Sequence, residues 1–114
     1  MRREYIPDRG DIVWLNFTPH SGHEQAGKRP ALVISPIHYN QKVGLAIFLP
    51  ITSKIKGYPF EVILPEGYPI QGVILSDQIK SMDWQTRGLD YICRASEEVV
   101  NEVIKKFMVL LKQY

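Results

Sequence analysis

The sequence has a single cysteine, Cys93, among its 114 residues. One thiol forms no disulfide within its own chain, and it excludes the zinc sites that are built from several cysteines. No apolar run approaches the roughly 20 residues that a membrane-spanning helix needs. The opening stretch MRREYIPDRGD also lacks the apolar core of a signal peptide. We therefore expect a cytoplasmic protein with no disulfide and no membrane partner.

Several motifs of nucleotide and hydrolase chemistry are missing as well. The chain has no G-x-x-x-x-G-K followed by Ser or Thr, no G-x-G-x-x-G and no G-x-S-x-G. His20, His23 and Glu24 are close in sequence, but their spacing and the nearby Gly22 differ from the helical H-E-x-x-H zinc motif. We expect neither a metal site nor a cofactor.

Charge of one sign is only slightly in excess. Fourteen Lys and Arg residues against twelve Asp and Glu give a net charge of +2. This balance is compatible with a nucleic-acid partner but does not argue for one unaided. A content of 45% hydrophobic and 23% charged residues is that of a globular chain. We expect residues 1–114 to form one domain with its own core.

Short segments rich in strand formers follow one another along most of the chain. In the first of them, Ile12 and Trp14 alternate with Val13, Leu15 and Phe17, so both faces of that strand are apolar and both should be covered. Turn signals about every 8–12 residues are typical of a sandwich or small barrel. The predicted strands are 12–17, 30–35, 45–51, 58–64, 72–75 and 78–82, and residues 36–44 are predicted as a turn.

The C-terminal part predicts a helix. Ser96 is a suitable N-cap, and two acidic residues follow it in the first turn. Apolar residues then recur at helical spacing and predict a stripe that packs on the sheet: Val99, Val103, Phe107 and Leu110. The expected fold is mainly β with a C-terminal helix, in the form of a small barrel.

The stretch from Ser21 to Ser35 places charged residues where a loop meets a strand. Arg29 precedes Pro30, whose fixed φ suits the first residue of a strand and restricts the residue before it. A guanidinium held there, close to the carboxylate of Glu24, has the right chemistry for a phosphodiester. The same two residues would also suit an ordinary surface ion pair on a hairpin.

Cleavage of RNA needs few protein groups because RNA carries its own nucleophile, the 2′-hydroxyl. It requires a base near that oxygen, positive charge on the phosphorane and an acid at the leaving 5′ oxygen. Arg29 can supply the charge, the hydroxyl of Thr52 can project into a cleft from a strand end, and Glu24 can accept a proton or orient the arginine. Thr52 could equally be a simple turn residue. The general base stays unassigned because an arginine remains protonated at neutral pH.

An RNA surface needs aromatic platforms, hydrogen-bonding groups and cations. The aromatic candidates are Phe17, Tyr58 and Trp84, each of which could instead be a core residue. Asn16 and Thr18 flank Phe17 and could contact base edges. The cations near the expected cleft are Lys28, Lys54, Lys56, Lys80 and Arg87. Of all these, we select six as RNA-binding candidates: Asn16, Phe17, Thr18, Lys28, Lys56 and Arg87.

Five blocks in a fixed order resemble the MazF/PemK family of toxin endoribonucleases. They are R-G-D-I-V-W from residue 9, E-Q-A-G-K-R-P from residue 24, P-I-T from residue 50, K-G-Y-P-F-E-V from residue 56 and G-V-I-L-S-D-Q-I-K-S from residue 72. By this resemblance, Arg29 of the R-P block and Thr52 of the P-I-T block match the family's catalytic pair. Glu24 matches a third catalytic residue.

The resemblance implies a fold and an activity. The family has an SH3-like barrel of the CcdB/MazF type and pairs two subunits to build an RNA groove. Its members cleave single-stranded RNA (mRNA) at short sequence motifs without a metal and leave a 2′,3′-cyclic phosphate and a 5′-hydroxyl. A cognate antitoxin inhibits them with a disordered segment. We expect the same fold, homodimer, substrate and partner here.

Two other functions stay open on the sequence. A CcdB-like poison has the same barrel but binds DNA gyrase and cuts no RNA. An SH3-like binding module would retain RNA or a peptide and yield no cyclic phosphate. Loss of a defined RNA cleavage on replacing Arg29, with the fold unchanged, would separate the endoribonuclease from both.

Overall fold

The computed structural model describes residues 5–17 and 27–112. Seven strands and two helices follow one another in these ranges: β1 (Asp11–Asn16), β2 (Lys28–Val33), α1 (Ile37–Val43), β3 (Leu45–Thr52), β4 (Glu61–Ile63), β5 (Val73–Leu75), β6 (Lys80–Asp83), β7 (Asp90–Arg94) and α2 (Glu97–Lys112). Neither helix has the length and apolar character needed to cross a membrane. The predicted class, mainly β with a C-terminal helix, is confirmed.

The strands form an antiparallel sheet in which β3 has the central position. The order is β4-β5-β3-β2-β1-β7, and β6 also pairs with β3. The first half of β3 pairs with β6, whereas its last residues, Ile51 and Thr52, pair with β5. Within the described ranges β4 and β7 end the order without pairing with each other, so the sheet is not a closed barrel. Thr52 is therefore the last residue of β3, paired with β5, and the next loop begins after it.

The two faces of the sheet carry separate apolar clusters. Ile12 of β1 belongs to the cluster under α2, together with Val99 and Val103 of that helix. Val13 and Leu15 belong to the cluster on the opposite face. Alternate residues of a strand point to opposite faces, so β1 is covered on both sides at Ile12, Val13 and Leu15, whereas Trp14 is exposed.

Helix α2 begins as predicted, but its apolar stripe is only partly buried. The Ser96 hydroxyl oxygen accepts a hydrogen bond from the Val99 N–H at 3.2 Å, which is an N-cap interaction. Val99 and Val103 are buried, whereas Leu110 and Leu111 are 38% and 64% exposed. The stripe packs on the sheet along the first half of the helix and leaves apolar surface beyond it.

The predicted turn at 36–44 is wrong, because most of it is helix α1. The helix ends at Gly44, whose φ of +83° is the left-handed conformation that glycine adopts easily. It is fixed by the buried Asn40, whose side-chain amide donates to the Pro7 and Ser35 carbonyls at 2.7 and 3.0 Å. These tertiary contacts select a helix that the local turn signals did not predict.

Strand β7 was not predicted, and all six predicted strands differ in their bounds from the structure. β7 lies at the edge of the sheet and has charged residues at both ends, Asp90 and Arg94, which weaken its strand signal. β4 covers only Glu61–Ile63 of the predicted strand 58–64. β6 begins at Lys80, two residues later than predicted, because the chain first turns through a hydrogen bond from the Gln78 N–H to the Leu75 carbonyl.

Candidate active site

Strands β2 and β3 bring Arg29 and Thr52 to the same end of the sheet. The two strands are in register at Ala31 and Pro50, and Arg29 and Thr52 each lie two residues further along in that direction. Arg29 is exposed and Thr52 is half-buried. Both residues line two adjoining clefts. A guanidinium and a hydroxyl therefore share one concave surface.

The first cleft, which we call the loop cleft, has a volume of about 520 Å³. Besides Arg29 and Thr52, its polar lining residues are Lys54, Lys56, Tyr58, Glu61 and Gln78. Two lysines and an arginine in one cleft raise the local concentration of anions and favour contacts to phosphate groups. The loop between β3 and β4 thus brings the positive charges of Lys54 and Lys56 to this cleft.

The second cleft, which we call the Trp14 cleft, has a volume of about 390 Å³. Trp14 of β1 lies opposite Pro30 in the register with β2 and is 38% exposed. It lines this cleft together with Lys28 and Arg29. An exposed aromatic ring beside cations is the usual platform for an unpaired base. Sequence reasoning missed Trp14 as a site residue, since it occupies an apolar position in an apolar strand.

The Thr52 hydroxyl is held by the loop that follows it. Its oxygen accepts a hydrogen bond from the Lys54 N–H at 3.1 Å. This is the turn contact that the sequence allowed as an alternative, and it does not compete with a role at the site. A hydroxyl that accepts one hydrogen bond still has its own hydrogen to donate, so Thr52 can contact a phosphate oxygen in the cleft.

Gly72, the residue just before β5, lies directly against the backbone of Thr52. Its φ is +133°, and a Cβ atom added there would lie 2.3 Å from the Thr52 carbonyl oxygen. No side chain fits this contact without displacing the end of β3. The position of Thr52 therefore depends on a glycine that the sequence places at the start of a predicted strand.

We expect Gly72→Ala to destabilise the protein by more than Gly67→Ala. Gly67 also has a positive φ, +103°, but nothing lies within 4 Å of a Cβ added there. Both variants meet backbone strain, and only Gly72→Ala adds a steric overlap, worth roughly 1–3 kcal/mol more. Denaturant unfolding of the two variants measures the difference. Equal losses would mean that Thr52 does not depend on this close approach.

Lys28 lies in the Trp14 cleft and makes an ion pair with Asp90 of β7. The Lys28 Nζ is 3.1 Å from the Asp90 carboxylate, and the two side chains are 46% and 67% exposed. Exposed pairs of this kind contribute about 0–1 kcal/mol. Lys28 can therefore exchange Asp90 for a phosphate group at little cost.

Three other predicted RNA contacts form a separate group beside the clefts. Arg87 Nη1 donates to the backbone carbonyls of Asn16 and Phe17 at 3.3 and 3.5 Å. None of these three residues lines the loop cleft or the Trp14 cleft. Asn16 pairs with Lys28 in the β1–β2 register, which makes Lys28 the link between this group and the clefts.

Two predicted site residues lie outside the described part of the chain. They are Glu24 and Thr18, and His20 and His23 of the rejected zinc pattern lie there too. Within residues 5–17 and 27–112, no group of three or more His, Cys, Asp and Glu side chains could hold a metal ion.

The two other aromatic candidates differ in position. Trp84 is 6% exposed, and its indole N–H donates to the Asn40 carbonyl at 2.9 Å, so it is a core residue. Tyr58 lines the loop cleft, and its hydroxyl donates to Asp77 at 2.8 Å. Burial, followed by this hydrogen bond, raises the pKa of Tyr58 above its ordinary value. The Tyr58 hydroxyl therefore stays protonated at neutral pH and is not a general base there.

Residues 8–111 match the family described as the PemK-like, MazF-like toxin of type II toxin–antitoxin systems. The chain belongs to this toxin family. It is 44% identical over 111 residues to the endoribonuclease toxin MazF of Escherichia coli strain K12, a match that covers 97% of this chain and 99% of that protein. The predicted MazF/PemK resemblance is confirmed.

Solved MazF structures have the same fold. The crystal structure of MazF (Form-I) from Deinococcus radiodurans superposes with a TM-score of 0.86 at 50% identity, over 95% of this chain and 98% of that chain. A MazE–MazF structure (Form-II) from the same organism gives a TM-score of 0.85 at 43% identity, over 97% and 100% of the two chains. The architecture described above is thus that of the MazF fold.

Proposed function

We propose that this protein is an endoribonuclease toxin that cleaves single-stranded RNA, mRNA in particular, at a short sequence motif. The 2′-hydroxyl at the cut site attacks the adjacent phosphorus, and the bond to the 5′ oxygen of the next nucleotide breaks. The products are a 2′,3′-cyclic phosphate and a 5′-hydroxyl, and no metal takes part. Endoribonuclease is the activity in the name of the Escherichia coli relative.

The observation that carries this proposal is that Arg29 and Thr52 both line the two adjoining clefts. Charge develops on the phosphorane oxygens in the transition state, and a preorganised guanidinium stabilises it by bidentate hydrogen bonds. The Thr52 hydroxyl donates to the same phosphate. Glu24 is the third member by family resemblance. The general base stays unassigned among the described residues, because the Tyr58 hydroxyl, with its raised pKa, is neutral.

The two clefts suggest how a single strand of RNA passes the site. Lys28 lines the Trp14 cleft and Lys56 lines the loop cleft, so each contacts a phosphate near the cut. Trp14 stacks on an unpaired base. Asn16, Phe17 and Arg87 extend this surface past Lys28, and these three residues together with Thr18 contribute to recognition of the motif.

The proposed toxin acts in the cytoplasm as a homodimer and is inhibited by a cognate antitoxin. The antitoxin is proposed because a similar chain is paired with MazE in the Deinococcus radiodurans structure. The dimer is supported by the apolar surface left on the helices. Exposed apolar side chains there are Tyr39, Val43, Met108, Val109, Leu110 and Leu111.

We expect Thr52→Val to slow RNA cleavage by roughly 10- to 100-fold, the factor of one hydrogen bond to a charged group. Valine keeps the branched shape and removes only the hydroxyl. The measurement is the cleavage rate of a single-stranded RNA, with Ser81→Ala as the control, since Ser81 is an exposed hydroxyl residue on β6. Wild-type cleavage by Thr52→Val would remove Thr52 from the site.

A further inference from the structure

Glu61 is a buried carboxylate in the wall of the loop cleft. It begins β4, is 9% exposed and lines the cleft with Arg29 and Lys56. Its Oε2 accepts a hydrogen bond from the Lys56 N–H at 2.9 Å, and its Oε1 accepts one from the Gly57 N–H at 2.8 Å. Two successive N–H groups that converge on one anion form a strong anion-binding concavity, which is filled here by the protein's own side chain.

These two hydrogen bonds compensate the burial of the charge. A buried carboxylate is costly unless it is paired or fully hydrogen-bonded. Among the described residues Glu61 makes no ion pair. The left-handed conformation of Gly57, with a φ of +85°, belongs to the turn that presents both N–H groups. The loop and the carboxylate therefore hold each other in place.

The start of β4, which carries Glu61, is held in place by hydrogen bonds from α2. Lys106 of α2 donates to the Pro59 carbonyl at 2.6 Å and to the Glu61 carbonyl at 3.2 Å. The Tyr58 hydroxyl is bound to Asp77. The main chain from Tyr58 to Glu61 is thus fixed to the helix and to the segment after β5. Through its two hydrogen bonds, the Glu61 carboxylate also holds the exposed residues Lys56 and Gly57 in place.

We propose that Glu61 is a positioning residue that holds the loop of Lys56 in its RNA-binding conformation. This inference rests on the proposed function, because it names what orders that site for its substrate. The proposal predicts the direction in which RNA affinity changes when the charge of Glu61 is removed. A carboxylate in a cleft for phosphates repels them, so its removal on charge alone would tighten RNA binding. Glu61 as a positioning residue gives the opposite result, because the loop loses its fixed conformation.

The test compares Glu61→Gln with Glu66→Gln. Glutamine has the length of glutamate, but only one of its two terminal atoms accepts a hydrogen bond, so one loop N–H loses its partner. Glu66 is an exposed residue between β4 and β5, and its replacement makes the same change in charge. We expect Glu61→Gln to raise KM for a single-stranded RNA roughly tenfold with kcat within about threefold, the effect of one lost charge-assisted hydrogen bond on binding. Glu66→Gln should leave KM unchanged or lower it slightly.

Amide hydrogen exchange gives a second measurement that needs no RNA. The Lys56 and Gly57 amide hydrogens should exchange at least about tenfold more slowly than in an unstructured chain in the wild type, and faster in Glu61→Gln. The exchange rates of the wild type alone test the proposal if the Glu61→Gln variant does not fold. Unprotected exchange in the wild type, or an unchanged or lower KM in a folded Glu61→Gln, would overturn the proposal. Absence of cleavage by the wild type would instead contradict the proposed function and leave the exchange test valid.

Discussion

We expect Arg29→Ala to cleave single-stranded RNA roughly 10²–10³-fold more slowly than the wild type, with its fold unchanged. The guanidinium is exposed at the start of β2, so its removal opens no cavity in the core. It is also the one cation that lines both described clefts together with Thr52. Loss of charge stabilisation in the transition state then lowers kcat, which is measured under saturating RNA.

Two control variants separate this role from general electrostatics. Arg29→Lys keeps the charge and loses the bidentate geometry, so its rate should lie between those of Arg29→Ala and the wild type. Lys42→Ala removes an exposed cation from the last turn of α1 and should have no effect on the rate. Cleavage by Arg29→Ala at the wild-type rate would assign the chemistry to other residues.

Replacing the 2′-hydroxyl by hydrogen at the cut site should abolish cleavage altogether. In the proposed mechanism the 2′-hydroxyl of the RNA is the nucleophile, and without that oxygen no cyclic phosphate can form. The measurement uses one oligonucleotide that the wild type cuts and its variant with a single deoxynucleotide. Binding should persist, because the phosphates that meet Lys28, Arg29 and Lys56 are unchanged.

The matched control is the same oligonucleotide with the deoxynucleotide placed two positions from the cut. It should be cleaved at close to the rate of the all-RNA strand. Continued cleavage at the modified position would contradict the internal-nucleophile mechanism. A water molecule would then have to attack the phosphorus, and the general base would become the main question.

The sequence predicted the parts of the fold that depend on local patterns. Alternating apolar residues identified β1, and the cap and spacing after Ser96 identified α2. Helix α1 was missed because its stability comes from Asn40, which bonds to residues far away in the chain. The exposure of the end of α2 was not predicted, because the apolar stripe of a helix does not show how far the sheet beneath it extends.

Some residues of the candidate site could likewise be predicted from local patterns, and others could not. Arg29 and Thr52 were predicted because each stands at a strand boundary within a block that resembles the family. Trp14 and Glu61 were not predicted as site residues. The place of Trp14 beside Arg29 follows from the β1–β2 register, and the role of Glu61 follows from a loop that folds back on its own strand. Neither register nor loop path can be derived from residue types alone.

One incubation decides whether the protein is a metal-independent endoribonuclease. Purified protein is mixed in EDTA with a single-stranded RNA of mixed sequence, and both new ends of every product are mapped. We expect cuts at one short motif, each with a 2′,3′-cyclic phosphate and a 5′-hydroxyl. Intact RNA with folded protein, or cleavage that returns only when a divalent metal is added, would contradict this expectation.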